Sequence, residues 1–311
     1  MENNKALIVF TAIGPTFRKR AINNIQNYCT LKYFDILVLT DIIEDFDIVK
    51  RDNLFIKNIV SLRGDWTYEY EKMPTPTKDV AAYANEIRAT GFRYPFSAQR
   101  HCFNFENIEK YKGILVLDCD IQIDYNDITI TELYNYLDSI KVNTVTGHNM
   151  YDYTNNNTVK NATIEYSKIL NLPVYNLNDS YLLNDGPVRI YKFVDKQSIQ
   201  QFLNVYNFIV KEAYEKKDLH LISGSWNTLA EPILAIVYKL LNIKVVCRDS
   251  IYGCGNNTLD CRTFPEDRFW NGWPGWEFNT SANSVEEFVE MNYLLLKKFY
   301  TQHNPRIEWP Y

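Results

Sequence analysis

The chain has 311 residues, of which 46% are hydrophobic and 23% are charged, and these proportions exclude a disordered or collagen-like protein. The net charge is −5 and Lys and Arg are dispersed along the sequence, which argues against nucleic acid as a partner. No apolar run approaches the roughly 20 residues of a membrane span, and the first residues lack the pattern of a signal peptide, so we expect a cytoplasmic protein.

The chain opens with alternating strand and helix patterns. Residues 5–11 form an apolar, β-branched run that predicts a buried strand, and residues 17–28 have apolar side chains at helical spacing. A second buried strand is predicted at 34–39 and a third strand region at 52–62. A strand, a helix and a strand within about forty residues indicate a parallel pair joined by a right-handed crossover.

Residues 63–113 predict an irregular loop over 63–77, a helix over 78–90 and a longer helix over 94–111 that stops at Lys112-Gly113. The apolar run Ile114-Leu115-Val116-Leu117 then predicts a short buried strand that leads directly into Asp118-Cys119-Asp120.

The remaining sequence is less regular and shows no internal repeat. It predicts strands at 142–146, 187–193 and 243–247, helices at 195–217, 228–241 and 284–300, and loops at 155–157 and 252–278.

Two carboxylates follow the apolar run after Gly113. Side chains at positions i and i+2 of a strand point to the same side, so Asp118 and Asp120 would lie together at the end of the sheet where open α/β proteins bind ligands. Carboxylates are hard oxygen ligands suited to Mn²⁺ or Mg²⁺ that bridge phosphate oxygens. An aspartate-rich turn is the structural alternative.

The segment from Tyr111 through Asp120 resembles the DxD region of GT-A glycosyltransferases, especially the glycogenin-like and galactosyltransferase-like families. The resemblance implies one α/β catalytic domain, a mixed, mainly parallel sheet flanked by helices. Residues 1–125 would form the nucleotide-sugar-binding half and residues 126–311 the acceptor-binding half. The implied reaction moves a hexose or pentose from a nucleotide diphosphate-sugar, with UDP as the expected nucleotide, to a hydroxyl of a glycan, glycolipid or protein. Mn²⁺ or Mg²⁺ would be the cofactor.

The same resemblance implies a set of donor-site residues. Thr11 and Ala12 would lie against the base and ribose, with Asp41 near the base. Arg100 occupies the place of a basic residue that contacts the sugar or diphosphate, with Arg93 as the alternative. A solvated arginine on a helix face is the structural alternative for Arg100. The donor site would comprise Thr11, Ala12, Asp41, Arg100, Asp118, Cys119 and Asp120.

Two further carboxylates are candidate catalytic residues. Asp185, in Asn184-Asp185-Gly186-Pro187-Val188, lies in a segment that resembles the one beside the donor sugar in glycogenin-like enzymes, although a simple turn explains the same residues. Glu231 stands where related enzymes place an acidic residue at a helix start, and is a candidate general base or stabilising carboxylate. Its alternative is a carboxylate favoured there by the helix dipole.

The third metal ligand is where the sequence departs from those families, because it has no H-x-x-G-x-x-K-P-W segment. His148 is the candidate metal ligand, beside Asp249 and Asp260, and a structural histidine is the alternative. The tryptophan-rich loop 269–276 could stack against an acceptor sugar or serve as packing.

Three rival functions share parts of this pattern. In a haloacid-dehalogenase-like phosphatase, Asp118 would be the nucleophile, but Gln122 stands where that family wants Thr or Val. A sugar-nucleotide-forming nucleotidyltransferase would need a glycine-rich loop after the first strand, where this chain has only Gly14. A catalytically inactive sugar-binding domain is the non-enzymatic rival, and turnover of a nucleotide-sugar would separate it from the enzyme.

Overall fold

The described residues of the computed structural model are built around one seven-stranded sheet with six α-helices. They comprise residues 5–13, 15–28, 33–49, 51–59, 99–119, 127–174, 182–215, 231–247 and 281–294. The strands are β1 (Ala6–Ala12), β2 (Phe34–Thr40), β3 (Leu54–Asn58), β4 (Ile114–Leu117), β5 (Thr144–Asp152), β6 (Leu182–Lys192) and β7 (Lys244–Cys247). The helices are α1 (Pro15–Tyr28), α2 (Asp127–Ser139), α3 (Asn157–Leu170), α4 (Lys196–Glu215), α5 (Glu231–Leu240) and α6 (Val285–Met291).

The strand order is β3-β2-β1-β4-β6-β5-β7. All neighbouring pairs are parallel except the two made by β6, which runs antiparallel to both β4 and β5. This confirms the prediction of an α/β protein with a mixed, mainly parallel sheet. It also confirms the parallel β1–β2 pair joined through a helix.

Both faces of the central strands are buried, which is why these strands read as continuous apolar runs. Alternate residues of β1 and β4, such as Ile8 and Leu115, pack with α1 and α2 on one face. The intervening residues, such as Val9 and Val116, pack with α3, α4 and α5 on the other. Every residue of β1 is buried.

The predicted continuous helix over 94–111 is wrong in the part that the structure describes. Two short 3-10 segments, Gln99–Asn104 and Ile108–Lys110, take its place. Asn107 separates them with a left-handed backbone (φ 60°), which Asn tolerates better than most residues. Gly113 does not end a helix, because the preceding 3-10 segment ends at Lys110. A β-carbon at Gly113 would lie 2.6 Å from Leu137 Cδ2, so a larger residue would force Leu137 of α2 to shift.

Two helices were not predicted, α2 and α3. The Asn-rich stretch that we read as a loop contains the start of α3, because the Asn156 side chain accepts a hydrogen bond from Val159 N at 3.1 Å and caps the helix. Strand β6 begins at Leu182 rather than at residue 187, so Asn184-Asp185-Gly186 lies within a strand and the simple-turn alternative is wrong.

The other predicted elements of the second half are confirmed where they are described. The helices predicted at 195–217 and 228–241 correspond to α4 and α5, and the strand predicted at 243–247 corresponds to β7. The loops 63–77 and 252–278, the helix 78–90 and the end of the helix at 284–300 lie outside the described residues. Over the described ranges, no helix has both the length and the apolar character needed to cross a membrane.

Candidate functional site

The strand order reverses between β1 and β4. The chain leaves β1 through α1 to β2 on one side and later returns to β4 on the other side. In open α/β sheets such a switch point leaves a crevice at the carboxyl ends of the strands, where ligands bind. Thr11 and Ala12 end β1, and Asp118 follows β4 directly.

The register brings the predicted donor residues together at this point. Phe10 pairs with Leu117, so one residue further along the two strands Thr11 comes beside Asp118. Asp118 is partly exposed, whereas Thr11 and Cys119 are buried. The described donor candidates at the ends of β1 and β4 therefore meet at the switch point.

The DxD stretch begins where strand β4 stops. Strand β4 ends at Leu117 and Cys119 lies in a turn, so the strand alternation that we used to pair the two aspartates does not apply. Asp120 lies outside the described residues. Of the motif, the described residues Asp118 and Cys119 follow the strand rather than lie within it.

Hydrogen bonds tie the ends of three neighbouring strands together. The Thr40 hydroxyl donates to Ala12 O at 2.9 Å and joins β2 to β1. Cys119 Sγ donates to Thr11 O at 3.1 Å and joins the turn after β4 to β1. Asn24 of α1 donates from Nδ2 to Cys119 O. The floor of the crevice is thereby fixed by side-chain-to-backbone bonds that the sequence analysis did not anticipate.

Thr11 carries an unsatisfied buried hydroxyl. The residue is 7% exposed, and its Oγ1 has no hydrogen-bond partner in the described part of the chain. Leaving a buried hydroxyl unpaired costs free energy, and such groups in native proteins usually have a partner. Its position at the end of β1 fits a polar ligand in the crevice.

Asp41 is held by an arginine that the sequence analysis missed. Arg18 Nη1 lies 2.9 and 2.8 Å from the two carboxylate oxygens of Asp41, and Arg18 Nε lies 2.5 Å from Asp45 Oδ2. The Arg18 and Asp41 side chains are only 9% and 7% exposed. Asp41 therefore ends β2 as half of a buried ion pair, and its contact with a base remains a prediction.

Strands β5 and β6 have an irregularity in their pairing beside the crevice. Gly147 pairs with Arg189 but Asn149 pairs with Asp185, so residues 186–188 of β6 oppose His148 alone. Bulges of this kind are common next to active sites, and they tolerate a proline inside a sheet because a ladder hydrogen bond is already absent. This explains Pro187 in a central strand.

Two more predicted residues lie near this irregularity, at the end of the sheet where β4 has its carboxyl end. Val188 pairs with Leu117, and β6 runs antiparallel to β4, so Asp185 lies beyond the carboxyl end of β4. His148 lies across from residues 186–188 at the same level. The backbone therefore brings Asp118, His148 and Asp185 to the same end of the sheet, where β4 has its carboxyl end.

Glu231 is the first residue of α5. A short turn joins the carboxyl end of this helix to β7. Strand β7 begins beside Thr144, at the end of the sheet opposite to the one that carries Asp118. The amino end of α5 is therefore directed towards the end of the sheet that carries Asp118, and the role of Glu231 towards an acceptor remains a prediction.

Arg100 is almost fully buried, at 1% exposure, so the alternative of a solvated helix-face arginine is wrong. Its guanidinium carbon lies 5.5 Å from the centre of the Tyr191 ring, and its Nε and Nη1 have no hydrogen-bond partner among the described residues. Tyr191 pairs with Ile114, at the end of β4 remote from Asp118. The described contacts place Arg100 in the aromatic core and leave its contact with a donor as a prediction.

Burial dominates the ionisation of the tyrosines around Arg100. Burial raises the pKa of Tyr206 to about 12, although the Arg100 charge acts in the opposite direction. It also raises the pKa of Tyr238 well above its ordinary value, and the Tyr238 and Tyr191 hydroxyl oxygens are 3.1 Å apart. Tyr206 and Tyr238 therefore stay neutral around pH 7 inside the core.

Several candidates lie outside the described residues, namely Arg93, Asp120, Asp249, Asp260 and the loop 269–276. Within the described ranges, no three His, Cys, Asp or Glu side chains cluster as metal ligands. The donor chemistry of Asp118 fits a divalent cation, with Asp120 as the second ligand that the sequence supplies.

A separate cavity of about 340 Å³ lies at the β3 edge of the sheet and contains none of the predicted site residues. It is lined by Phe55, Lys57, Phe105, Glu106, Asn107, Lys110 and Tyr111. We place the candidate site at the switch point instead, because that is where the titratable candidates converge.

No family model matches the sequence, and no curated protein matches it. Among solved structures, that of the galactosyltransferase LgtC in complex with donor and acceptor sugar analogs is similar with a TM-score of 0.44 and 10% identity, covering 87% of this chain and 99% of that chain. Mouse xyloside xylosyltransferase 1 in its apo form is similar with a TM-score of 0.38 and 9% identity, covering 78% of this chain and 84% of that chain.

Proposed function

We propose that this chain is a GT-A glycosyltransferase that moves a sugar from a nucleotide diphosphate-sugar, with UDP as the nucleotide, to a hydroxyl of a glycan, glycolipid or protein. The observation that carries the proposal is the position of Asp118 beside Thr11 at the β1–β4 switch point. A carboxylate that begins a DxD turn there is suited to hold a cation against phosphate oxygens.

The donor would be held by residues at the ends of β1, β2 and β4. Asp118 and Asp120 would hold Mn²⁺ or Mg²⁺, which when bound offsets charge on the departing diphosphate. The Thr11 hydroxyl, which has no hydrogen-bond partner among the described residues, is available to hydrogen-bond the nucleotide, and Ala12 lies beside it at the end of β1. Asp41 would lie near the base, fixed in place by Arg18.

The residues from the second half of the chain would act on the sugar and the acceptor. Asp185, beyond the end of β4, would lie beside the donor sugar. His148, opposite the bulge in β6, is the proposed third metal ligand, which requires a neutral imidazole. Glu231, at the start of α5, is the proposed general base or stabilising carboxylate for the acceptor hydroxyl.

The test is hydrolysis and transfer with a panel of UDP- and GDP-sugars in Mn²⁺, Mg²⁺ or EDTA, comparing the wild type with Asp118→Asn. We expect metal-dependent release of the nucleotide from one donor, abolished by EDTA and lowered at least about 100-fold in the variant, as for loss of one group that stabilises transition-state charge. Asp138→Asn is the matched control, because Asp138 is an exposed carboxylate on α2 whose side chain is paired with Lys112. It should leave turnover unchanged.

The other outcomes contradict the proposal in distinguishable ways. Binding of a nucleotide-sugar without turnover in any metal would indicate an inactive sugar-binding domain. Hydrolysis of a generic phosphate ester that depends on Asp118, with no turnover of donors, would indicate the phosphatase. Equal turnover by wild type and Asp118→Asn would remove the DxD turn from the mechanism.

A further inference from the structure

Asn24 is a buried polar residue on the apolar face of α1. It is 1% exposed, and its neighbours on that face, Ala21 and Ile25, are fully buried against the sheet. Burying an amide side chain in such surroundings is unfavourable unless it is hydrogen-bonded, so a packing role alone would favour an apolar residue here.

The hydrogen bond of Asn24 goes to the middle residue of the DxD stretch. Its Nδ2 donates to the carbonyl oxygen of Cys119, from α1 across to the turn after β4. The Cys119 thiol in turn donates to Thr11 O at 3.1 Å. Cys119 is thus held through its main chain by a helix and through its side chain by β1.

The Cys119 carbonyl belongs to the peptide bond that joins Cys119 to Asp120. Because that peptide unit is planar, a hydrogen bond to its oxygen restrains the direction in which the chain proceeds to Asp120. Among the described residues, the β1–β4 ladder ends at Leu117, two residues before Cys119. The bond from Asn24 therefore acts at the point where the two aspartates need a fixed relation.

We propose that Asn24 is a positioning residue for the metal-binding turn, and that it sets the affinity of Asp118 and Asp120 for the divalent cation. The inference rests on the proposed function, because it assumes that the turn binds metal. Partners that orient metal ligands typically contribute 10–100-fold in metal affinity or activity, although they never touch the ion.

The experiment measures Mn²⁺ binding through the electron paramagnetic resonance signal of free Mn²⁺, with and without UDP. It compares the wild type, Asn24→Ala, the near-isosteric Asn24→Asp, and Asn23→Ala as the matched control on the exposed side of α1. We expect both Asn24 variants to bind Mn²⁺ about 10–100-fold more weakly. Asn23→Ala should bind as the wild type does.

A second readout separates positioning from general loss of structure. In the Asn24 variants, amide hydrogen exchange should accelerate in the segment that contains Cys119 and remain unchanged in β2. Saturating Mn²⁺ should restore most of the lost turnover, which it would not do for a variant that is simply unfolded.

The outcomes show separately whether the role of Asn24 fails and whether the proposed function fails. If Asp118→Asn lowers Mn²⁺ affinity while both Asn24 variants bind like the wild type, Asn24 has no positioning role and the proposed function stands. If Asp118→Asn itself binds Mn²⁺ like the wild type, the metal site is elsewhere and both proposals fall.

Discussion

At the scale of single residues, a buried ion pair between Arg18 and Asp41 lies at the end of β2, beside the candidate site. Both side chains are at least nine-tenths buried, and the second partner of Arg18, Asp45, is 43% exposed. A buried pair contributes little net stability compared with apolar packing, but removing one partner leaves a buried charge uncompensated.

We therefore expect Arg18→Ala to lower the free energy of unfolding by about 3–5 kcal/mol, measured by urea denaturation. The adjacent Lys19→Ala is the control, because Lys19 is exposed and its loss should change stability by less than about 0.5 kcal/mol. A small effect of Arg18→Ala would show that Asp41 finds another partner or water.

Cys102 makes stability depend on alkaline pH. Burial raises the pKa of its thiol from 9.0 to about 12, with the Arg100 charge opposing the shift. Between these values the unfolded state binds fewer protons than the folded state, so the stabilisation is complete below pH 9 and is lost as pH rises through about 12.

The free energy of unfolding should thus fall more steeply between pH 9 and 10 in the wild type than in Cys102→Ala, by up to about 1.4 kcal/mol per pH unit. Tyr206→Phe should keep the wild-type slope in that window and reduce it only above pH 10, because burial raises the Tyr206 pKa from 10.0 to about 12. Identical slopes for wild type and Cys102→Ala would contradict the buried, neutral thiol.

The residues that sequence reasoning located are those whose role follows from the end of a strand. Thr11 and Asp118 each end an apolar run, and the end of such a run can be seen in the sequence. The partners that fix the site cannot, because Arg18 and Asp41 are 23 positions apart and Asn24 and Cys119 are 95 apart. Only the fold brings them together.

At the scale of elements, α2 packs closely against Gly113, the residue just before β4. A β-carbon at Gly113 would lie 2.6 Å from Leu137 Cδ2 and 3.1 Å from Leu137 Cδ1, and Leu137 is fully buried. Overpacking of this kind typically costs about 1–3 kcal/mol. We expect Gly113→Ala to destabilise the protein by that amount in thermal or urea unfolding.

The double variant Gly113→Ala, Leu137→Ala tests whether this contact is the cause. Removing the leucine methyl groups should relieve the clash, so the double variant should be more stable than the sum of the two single effects predicts, by about 0.5–3 kcal/mol. Additive effects would mean that Gly113 is required for another reason.

Elements with two buried faces were predictable, and elements with mixed composition were not. Strands β1, β2 and β4 show continuous apolar runs, and α4 and α5 show helical spacing. Helix α3 begins in an Asn-rich stretch whose capping role depends on one side chain bonding to Val159 N, which composition alone does not reveal. The residues after Gln99 have apolar spacing that two 3-10 segments satisfy as well as one helix would.

At the scale of the whole molecule, we expect the protection of backbone amides from hydrogen exchange to decrease from the central strand β1 to the outer strand β3. Every residue of β1 is buried and the strand pairs on both sides, whereas β3 is half-buried and, among the described strands, pairs with β2 alone. Amides of β1 should exchange with solvent at rates near those of global unfolding, and amides of β3 should exchange much faster, in hydrogen-exchange mass spectrometry. Equal protection of the two strands would show that other parts of the chain cover the β3 edge.

The overall topology was only partly accessible from the sequence. The local β1-α1-β2 unit follows from chirality and short connections, since these rules act within a few tens of residues. The insertion of β6 between β4 and β5 does not, because it depends on pairing between strands from the two proposed halves of the chain. The same insertion brings the backbone at Asp185 and His148 to the end of the sheet that carries Asp118, and rules that act over short stretches of sequence could not indicate it.

The position of β6 also has a consequence for biosynthesis. Among the described strands, the outer edge of β4 gains its partner only when residues 188–191 have left the ribosome, because β5, which is made earlier, pairs with β6 and β7 rather than with β4. An unpaired apolar edge is a template for intermolecular strand pairing. A nascent chain that stalls before residue 188 is therefore expected to need a chaperone, and this need ends when β6 pairs with β4.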